Sequence, residues 1–309
     1  MSSPVLLADI GGTNSRFALT DARGRPTHIH TIADEGVAGL EDALADYLQE
    51  TQAKPGTAVL AVAALVSGPE IALTNRAWRF NLDDIKARFG ISRIRAINDF
   101  EAQAWALPYL GRDDVQPIGR ALEPATGVKL VLGPGTGLGI AALVPRDGNW
   151  MVVASEAGHV SFGPVSTDEE PVFARLRARG PVSAETVLSG PGLARLHAAL
   201  HPQAKALAAD LIARSAEAGE ARAAATVRLF VRLLGRFAGD MALVFRATGG
   251  VYVSGGVALG LGPCFDAGVF RAAFEAHPPY AALLAKTATC RIVYEHPGLI
   301  GCAAVAATM

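Results

Sequence analysis

Apolar residues change their spacing several times along the first hundred positions. Val5-Leu6-Leu7-Ala8 runs straight into Asp9, and apolar residues return within Arg16–Asp21. Strands are therefore expected over Val5–Ile10 and Arg16–Asp21, joined through Gly11-Gly12. Val37, Leu40, Leu44, Tyr47 and Leu48 recur at helical spacing and predict an amphipathic helix. Val59–Val66 is continuously apolar, as in a strand buried on both faces. Asn81 suits the N-cap of a helix through Phe89, with Gly90 as its stop. Arg93–Ile97 reads as a further strand and Asp99–Leu107 as a helix. Strands first, then strands alternating with helices, predict a mixed sheet flanked by helices.

Residues 108–127 carry Pro, Gly and charge without period, and a lobe boundary is expected there. Strands resume at Val128–Leu132, Ile140–Val144 and Trp150–Val153, so the opening order of strand, glycine turn and strand is echoed. The remainder reads as mostly helical, with a long helix from about Ala221 to Phe245. Its interior Gly235 and Gly239 mark either close helix packing or a kink.

Composition narrows the picture. A chain of 309 residues, half of them hydrophobic, suits two lobes. Its net charge of −1, from 28 basic and 29 acidic residues, offers no basic stripe for nucleic acid or an anionic membrane. Cys264, Cys290 and Cys302 are far apart and form no CxxC pair. Reduced thiols in the cytoplasm are the expectation. Met1-Ser2-Ser3-Pro4 has no basic signal-peptide start, and the longest apolar stretch, Ala58 to Val66, falls far short of the roughly 20 residues of a membrane helix.

The glycine turns carry the first chemistry. In Asp9-Ile10-Gly11-Gly12-Thr13-Asn14 a strand ends in a carboxylate and turns where backbone N–H groups can face an anion. Asp9 is placed to hold Mg²⁺ through water, and Thr13 and Asn14 add hydroxyl and amide donors. A plain β-hairpin turn is the alternative. A second turn, Gly133-Pro134-Gly135-Thr136-Gly137-Leu138-Gly139, and a third at Gly255-Gly256 also follow apolar runs. Three such turns suggest one nucleotide gripped from two sides. Valine at Gly12 or Gly137 is expected to block phosphate and to disfavour a positive φ.

Asn98-Asp99 closes one strand and opens a helix, where carboxylates of α/β folds point into the crevice. Asp99 is a candidate general base, and a helix N-cap is the plain alternative. Glu156-Ala157-Gly158-His159 offers an acceptor and a switchable donor to a polyol. Two such residues without a third make a poor metal site. Glu185 reads by position as a solvated helix residue. Trp78 reads as a packing residue, and His296, before Pro297-Gly298, stays ambiguous.

These pieces, in this order, resemble the bacterial glucokinase family of the hexokinase–actin–heat-shock-ATPase superfamily, over essentially the whole chain. The matching segments are Ala8–Asn14, Leu73-Thr74-Asn75, Ile97–Phe100, Gly135–Gly139, Glu156 with Gly158-His159, Leu188–Leu193, Gly255–Val257 and Pro297–Leu299. The resemblance implies an α/β, two-lobed, actin-like ATPase (ribonuclease-H-like) fold with a nucleotide and sugar cleft between lobes. A smaller lobe over 1–109 would be completed by a C-terminal helix in 299–309, with a larger lobe over 110–298. Asp99 would take the proton of the glucose 6-hydroxyl. Asn98, Glu156, His159 and Glu185 would hold the other hydroxyls. Ala8, Asp9, Ile10, Gly11, Gly12, Thr13 and Asn14, with Gly135, Thr136 and Gly137, would cradle the ATP phosphates, and Gly255 and Gly256 would lie against the adenosine. ATP, Mg²⁺ and glucose as partners, a homodimer and a glycolytic role complete what the family implies. Two departures stand out: Ala157 replaces a customary glycine, which would be strained at positive φ, and the loop Ala63–Gly68 lacks a common proline. A kinase for another hexose, a non-catalytic sugar sensor and an actin-type ATPase are the rival readings.

Overall fold

The computed structural model describes residues 3–12, 14–33, 36–73 and 78–309. The chain divides into two compact units, Met1–Leu110 with Tyr294–Met309, and Gly111–Val293.

The first unit is built on β1 (Val5–Ile10), β2 (Asn14–Thr20), β3 (Pro26–Ala33), β4 (Thr57–Val62) and β7 (Arg93–Asn98), in the order β3-β2-β1-β4-β7. β5 (Glu70–Ala72) and β6 (Arg79–Asn81) form a separate two-stranded ribbon. β1 to β3 pair antiparallel as a meander, whereas β4 and β7 run parallel to β1. β4 is buried along nearly its whole length, as its unbroken apolar run requires between two covered faces. On one face lie α1 (Leu40–Thr51) and α2 (Leu82–Phe89), enclosing Leu6, Ile10, Phe17, Leu44, Tyr47 and Leu60. Asn81 caps α2 through Asp83 N, and Gly90 closes it in the left-handed region. α3 (Asp99–Ala106) follows β7.

The second unit repeats the plan. β9 (Lys129–Pro134), β10 (Leu138–Arg146) and β11 (Asn149–Ser155) form an antiparallel meander, and β12 (Val251–Val253) and β13 (Thr289–Ile292) continue parallel from β9. The order is β11-β10-β9-β12-β13, with β8 (Val115–Pro117) antiparallel at the edge. Strand order and direction match those of the first sheet, which gives the echo between the halves a structural form. The helices are α4 (Glu170–Arg177), α5 (Ala184–Val187), α6 (Gly190–Leu200), α7 (Ala209–Glu217), α8 (Ala221–Val244), α9 (Gly256–Gly260), α10 (Ala267–Glu275) and α11 (Ala281–Leu284). α8 is the spine of the core, burying Phe230, Leu233, Leu234 and Phe237. Its two glycines mark close packing against α10: a Cβ on Gly235 would lie 2.3 Å from Phe270 O, and one on Gly239 2.6 Å from Phe274 O.

The chain returns to the first unit as α12 (Pro297–Ala306), where Leu299, Cys302 and Val305 cover Leu7, Val59, Ala61 and Ile97. α12 packs on α3 so closely that a Cβ on Gly301 would meet Ala102 O at 1.7 Å.

Some elements depart from expectation. The strand expected to reach Val66 ends at Val62: Ala63 N makes a last bond to Ile10 O, and Ala64 N bonds back to Val62 O, which turns the chain. Leu65 is left 75% exposed. The aperiodic stretch 108–127 contains β8, three residues held only by a distant partner. The helix expected from Val37 starts at Leu40, with Val37 packed beside the core. Trp78 is buried in the first core.

Candidate functional site

In the first unit the site groups gather where β1 and β7 end. Asp9 is the penultimate residue of β1, and the turn behind it is closed by Gly11 N donating to Asn14 O at 3.2 Å. A Cβ on Gly11 would already touch that oxygen at 3.0 Å, so the tight turn selects glycine on space alone. Burial raises the Asp9 pKa, opposed by the nearby charges of Arg16 and His296. The carboxylate lies against the first turn of α12: a Cβ on Gly298 would fall 2.6 Å from Asp9 Oδ2.

At the end of β7 the two polar residues divide the work. Asn98, not Asp99, is the N-cap of α3: its Oδ1 accepts from Phe100 N at 2.9 Å and Glu101 N at 3.3 Å. Its Nδ2 donates to Ala64 O at 3.3 Å. Asp99 therefore begins the helix with the cap left to Asn98, its own carboxylate bonding Phe100 N through Oδ1 at 3.0 Å and the Asn98 side chain. Burial, and then the repelling Asp9 carboxylate, push the Asp99 pKa up to about 7. A carboxylate poised near neutrality at a strand terminus is suited to proton transfer.

In the second unit the backbone of Leu138 is the meeting point. The turn between β9 and β10 is closed by Gly135 N donating to Gly137 O at 2.8 Å, and Gly135 O accepts from Gly190 N at 2.7 Å. Leu138 N donates to Glu185 Oε2 at 2.8 Å, and a Cβ on Gly137 would stand 2.5 Å from the same oxygen. Leu138 O faces Gly158, whose Cβ would collide with it at 2.3 Å. One residue thus anchors the glycine turn, the loop of Glu156 and His159, and the carboxylate of Glu185. Val160 O also accepts from Ala184 N at 3.0 Å, tying the end of that loop to the start of α5. Gly255, at φ +92°, lies beside the end of β9, where a Cβ would meet Pro134 O at 2.5 Å.

Several sequence readings change here. Glu185 is not simply solvated: its carboxylate is half-buried and bonded to the glycine turn. Gly137 needs no positive φ; a Cβ there would meet the end of the Glu185 side chain, which would have to swing away. Ala157 sits in the short 3-10 turn Ala157–His159 and is not among the residues of positive φ, so it carries no such strain. Glu156 and His159 are exposed, with Oε2 and Nε2 3.9 Å apart. Thr13, and the Thr74-Asn75 pair, lie outside the described residues. Sequence reasoning missed the role of Gly298 beside Asp9. Glycine directly behind the helix-starting Pro297 was the available signal.

Among the described residues no group of three or more His, Cys, Asp or Glu side chains forms a metal cage. The half-buried Asp9 carboxylate is a hard oxygen donor of the kind Mg²⁺ takes directly or through water. No described helix is long and apolar enough to cross a membrane. Cys264, Cys290 and Cys302 are free.

The chain is similar in fold and sequence to known sugar kinases. A solved glucokinase from an Antarctic psychrotroph superposes with a TM-score of 0.88 at 33% identity, covering 100% of both chains. A ROK family glucokinase from Streptomyces griseus, solved with glucose and AMPPNP, shares the fold at a TM-score of 0.67, with 21% identity over 99% of this chain and 100% of that one. The chain has the actin-like ATPase fold of these sugar kinases. The Glucokinase family model matches residues 6–309, and a glucokinase from Agrobacterium fabrum is 38% identical over 100% of this chain and 93% of its own length. The chain belongs to the glucokinase family.

Proposed function

We propose that the protein transfers the γ-phosphoryl group of ATP to the 6-hydroxyl of D-glucose, giving glucose 6-phosphate and ADP. Family membership over residues 6–309 supports the reaction. The observation that carries the chemistry is Asp99, a carboxylate raised to about 7 at the head of α3.

In this reading Asp99 accepts the 6-hydroxyl proton as the oxygen attacks in line, and Asn98 fixes the backbone that aims it. Glu156, His159 and Glu185 hold the remaining hydroxyls. The backbone from Ala8 to Asn14 and from Gly135 to Gly137 receives the phosphates, with Thr13 and Thr136 contributing hydroxyls, and Gly255-Gly256 receives the adenosine. Mg²⁺ would supply neutralising charge to the phosphates, with Asp9 as its water-mediated partner. The family also supports a homodimer at the entry to glycolysis, and the three free thiols suit the cytoplasm.

ATP turnover measured with and without a panel of hexoses tests the reading. Glucose is expected to give the fastest turnover, and Asp99→Asn to lose about 10²-fold or more in kcat while still binding glucose. Near-normal turnover in that variant would remove Asp99 from the role. Light scattering reports the oligomer.

A further inference from the structure

Between Ser161 and the start of α4 the chain is neither helix nor strand, yet it follows directly on His159. A charged cluster buried against α8 holds it. Glu169 and Arg236 are only 2% and 9% exposed. Arg236 Nη1 donates to Glu169 Oε2 at 2.8 Å, and Nη2 to Gly163 O at 2.6 Å. Glu169 Oε2 also accepts from Val165 N at 3.1 Å, while Oε1 faces Arg232 Nη2 at 3.2 Å. The Arg236 guanidinium lies 4.3 Å over the Phe162 ring, which meets Phe237 edge-on at 5.9 Å.

Burying two charges costs desolvation, and a well-packed apolar pair is often as stable or more so. What an apolar pair lacks is directed bonds. Here those bonds fix one carbonyl and one N–H of an irregular segment, besides clamping Phe162. That segment continues into the ladder Ser161–Ser183, where Phe162 N donates to Val182 O and Ala184 N to Val160 O, both at 3.0 Å. One end of the ladder leads back to His159 and Glu156, and the other runs into Glu185.

We propose that the Arg236–Glu169 pair is a positioning device for the sugar site, setting the spacing of the Glu156–His159 loop and Glu185 from a point on α8 remote from the substrate. This rests on the reading that Glu156, His159 and Glu185 hold glucose. Neither Arg236 nor Glu169 touches a reacting group; both act through the segment they hold. Misplacement of binding groups by a fraction of an ångström weakens sugar binding, while the nucleotide turn, which shares the Glu185 contact but also has its own Gly135 N–Gly137 O and Gly190 N–Gly135 O bonds, shifts less.

The test compares Glu169→Gln, Arg236→Lys and the double variant Glu169→Leu/Arg236→Met with wild type and with Glu156→Ala. Glucose KM, ATP KM, kcat and Tm are measured well below each Tm. Each cluster variant is expected to raise glucose KM about tenfold, with ATP KM changed less than about twofold. The double variant removes directed bonds and leaves Arg232 paired with Asp168 at 2.7 Å, so its Tm stays near or above wild type and its glucose KM still rises. An unchanged glucose KM in that folded double variant, whatever its Tm, overturns the proposal. If Glu156→Ala leaves glucose KM unaltered, the sugar-site reading itself fails. If Glu156→Ala weakens glucose and the cluster variants do not, only the positioning role fails.

Discussion

At the scale of single residues, the proposed base Asp99 sets the pH behaviour to be expected. Its ionised form is the base, and burial with the Asp9 charge lifts its pKa from 3.8 to about 7. Activity is therefore expected to rise with pH through about 7 and to level above it, seen as kcat/KM for glucose in overlapping buffers. An acid limb near pH 4 would mean an unperturbed carboxylate. The same shift bears on stability. A raised folded-state pKa favours the folded protein while Asp99 is protonated, and that advantage is lost as pH climbs from about 4 to about 7. Asp99→Asn should therefore raise Tm at pH 8, with a gain that shrinks below pH 7 and is gone below about 4. Thermal melts across that range check it; a gain independent of pH would assign the effect to packing.

At the scale of elements, glycines decide how closely backbones meet. α12 and α3 approach at Gly301, where alanine would press its Cβ into Ala102 O. Gly301→Ala is expected to cost roughly 1–3 kcal/mol of stability, the usual scale for overpacking. Because α3 opens with Asp99, kcat should fall as well. Denaturant melts and steady-state assays separate the two, and a variant with wild-type stability would show that the helices part without cost. The turn before β10 gives a different expectation. Alanine at Gly137 displaces Glu185, so Gly137→Ala should weaken glucose along with ATP. Calorimetry showing loss of nucleotide binding alone would assign Gly137 to phosphate only.

The sequence made some of this legible and hid the rest. Local signals located about half of the elements: Asn81 and Gly90 bracket α2, and the apolar runs of β1, β4 and β9 announce buried strands, whereas β3, β5 and β6 went unread. Edges and junctions escaped, since β8 depends on β13, far along the chain, and its three residues carry no period. Asp99 stood out at its strand–helix junction, but its separation from the cap became visible only with Asn98 in place. Glu185 was least legible, because nothing in Ser183–Thr186 signals a hydrogen bond to Leu138.

At the scale of the whole molecule, the proposed base and the glycine turn of Gly135–Gly137 belong to different compact units. In the proposed reaction the acceptor is the sugar hydroxyl, so ATP without sugar should be hydrolysed slowly. A phosphate-release assay is expected to show sugar-free hydrolysis at a small fraction of the glucose-dependent rate. Fast hydrolysis unaffected by glucose would favour a plain ATPase over a kinase.

The return of α12 has a consequence for how the protein is made. Residues Leu7, Val59, Ala61 and Ile97 leave the ribosome well before the helix that covers them, which follows only from Pro297 onward. The second unit is contiguous from Gly111 to Val293 and has all its residues in hand before the first can finish. The nascent chain must therefore carry this apolar sheet face without its α12 cover until residues 297–306 have emerged, a surface open to chaperones or to aggregation. Release of the chain before residue 297 should leave the second unit folded and the first exposed, with protease protection mapping to Gly111–Val293.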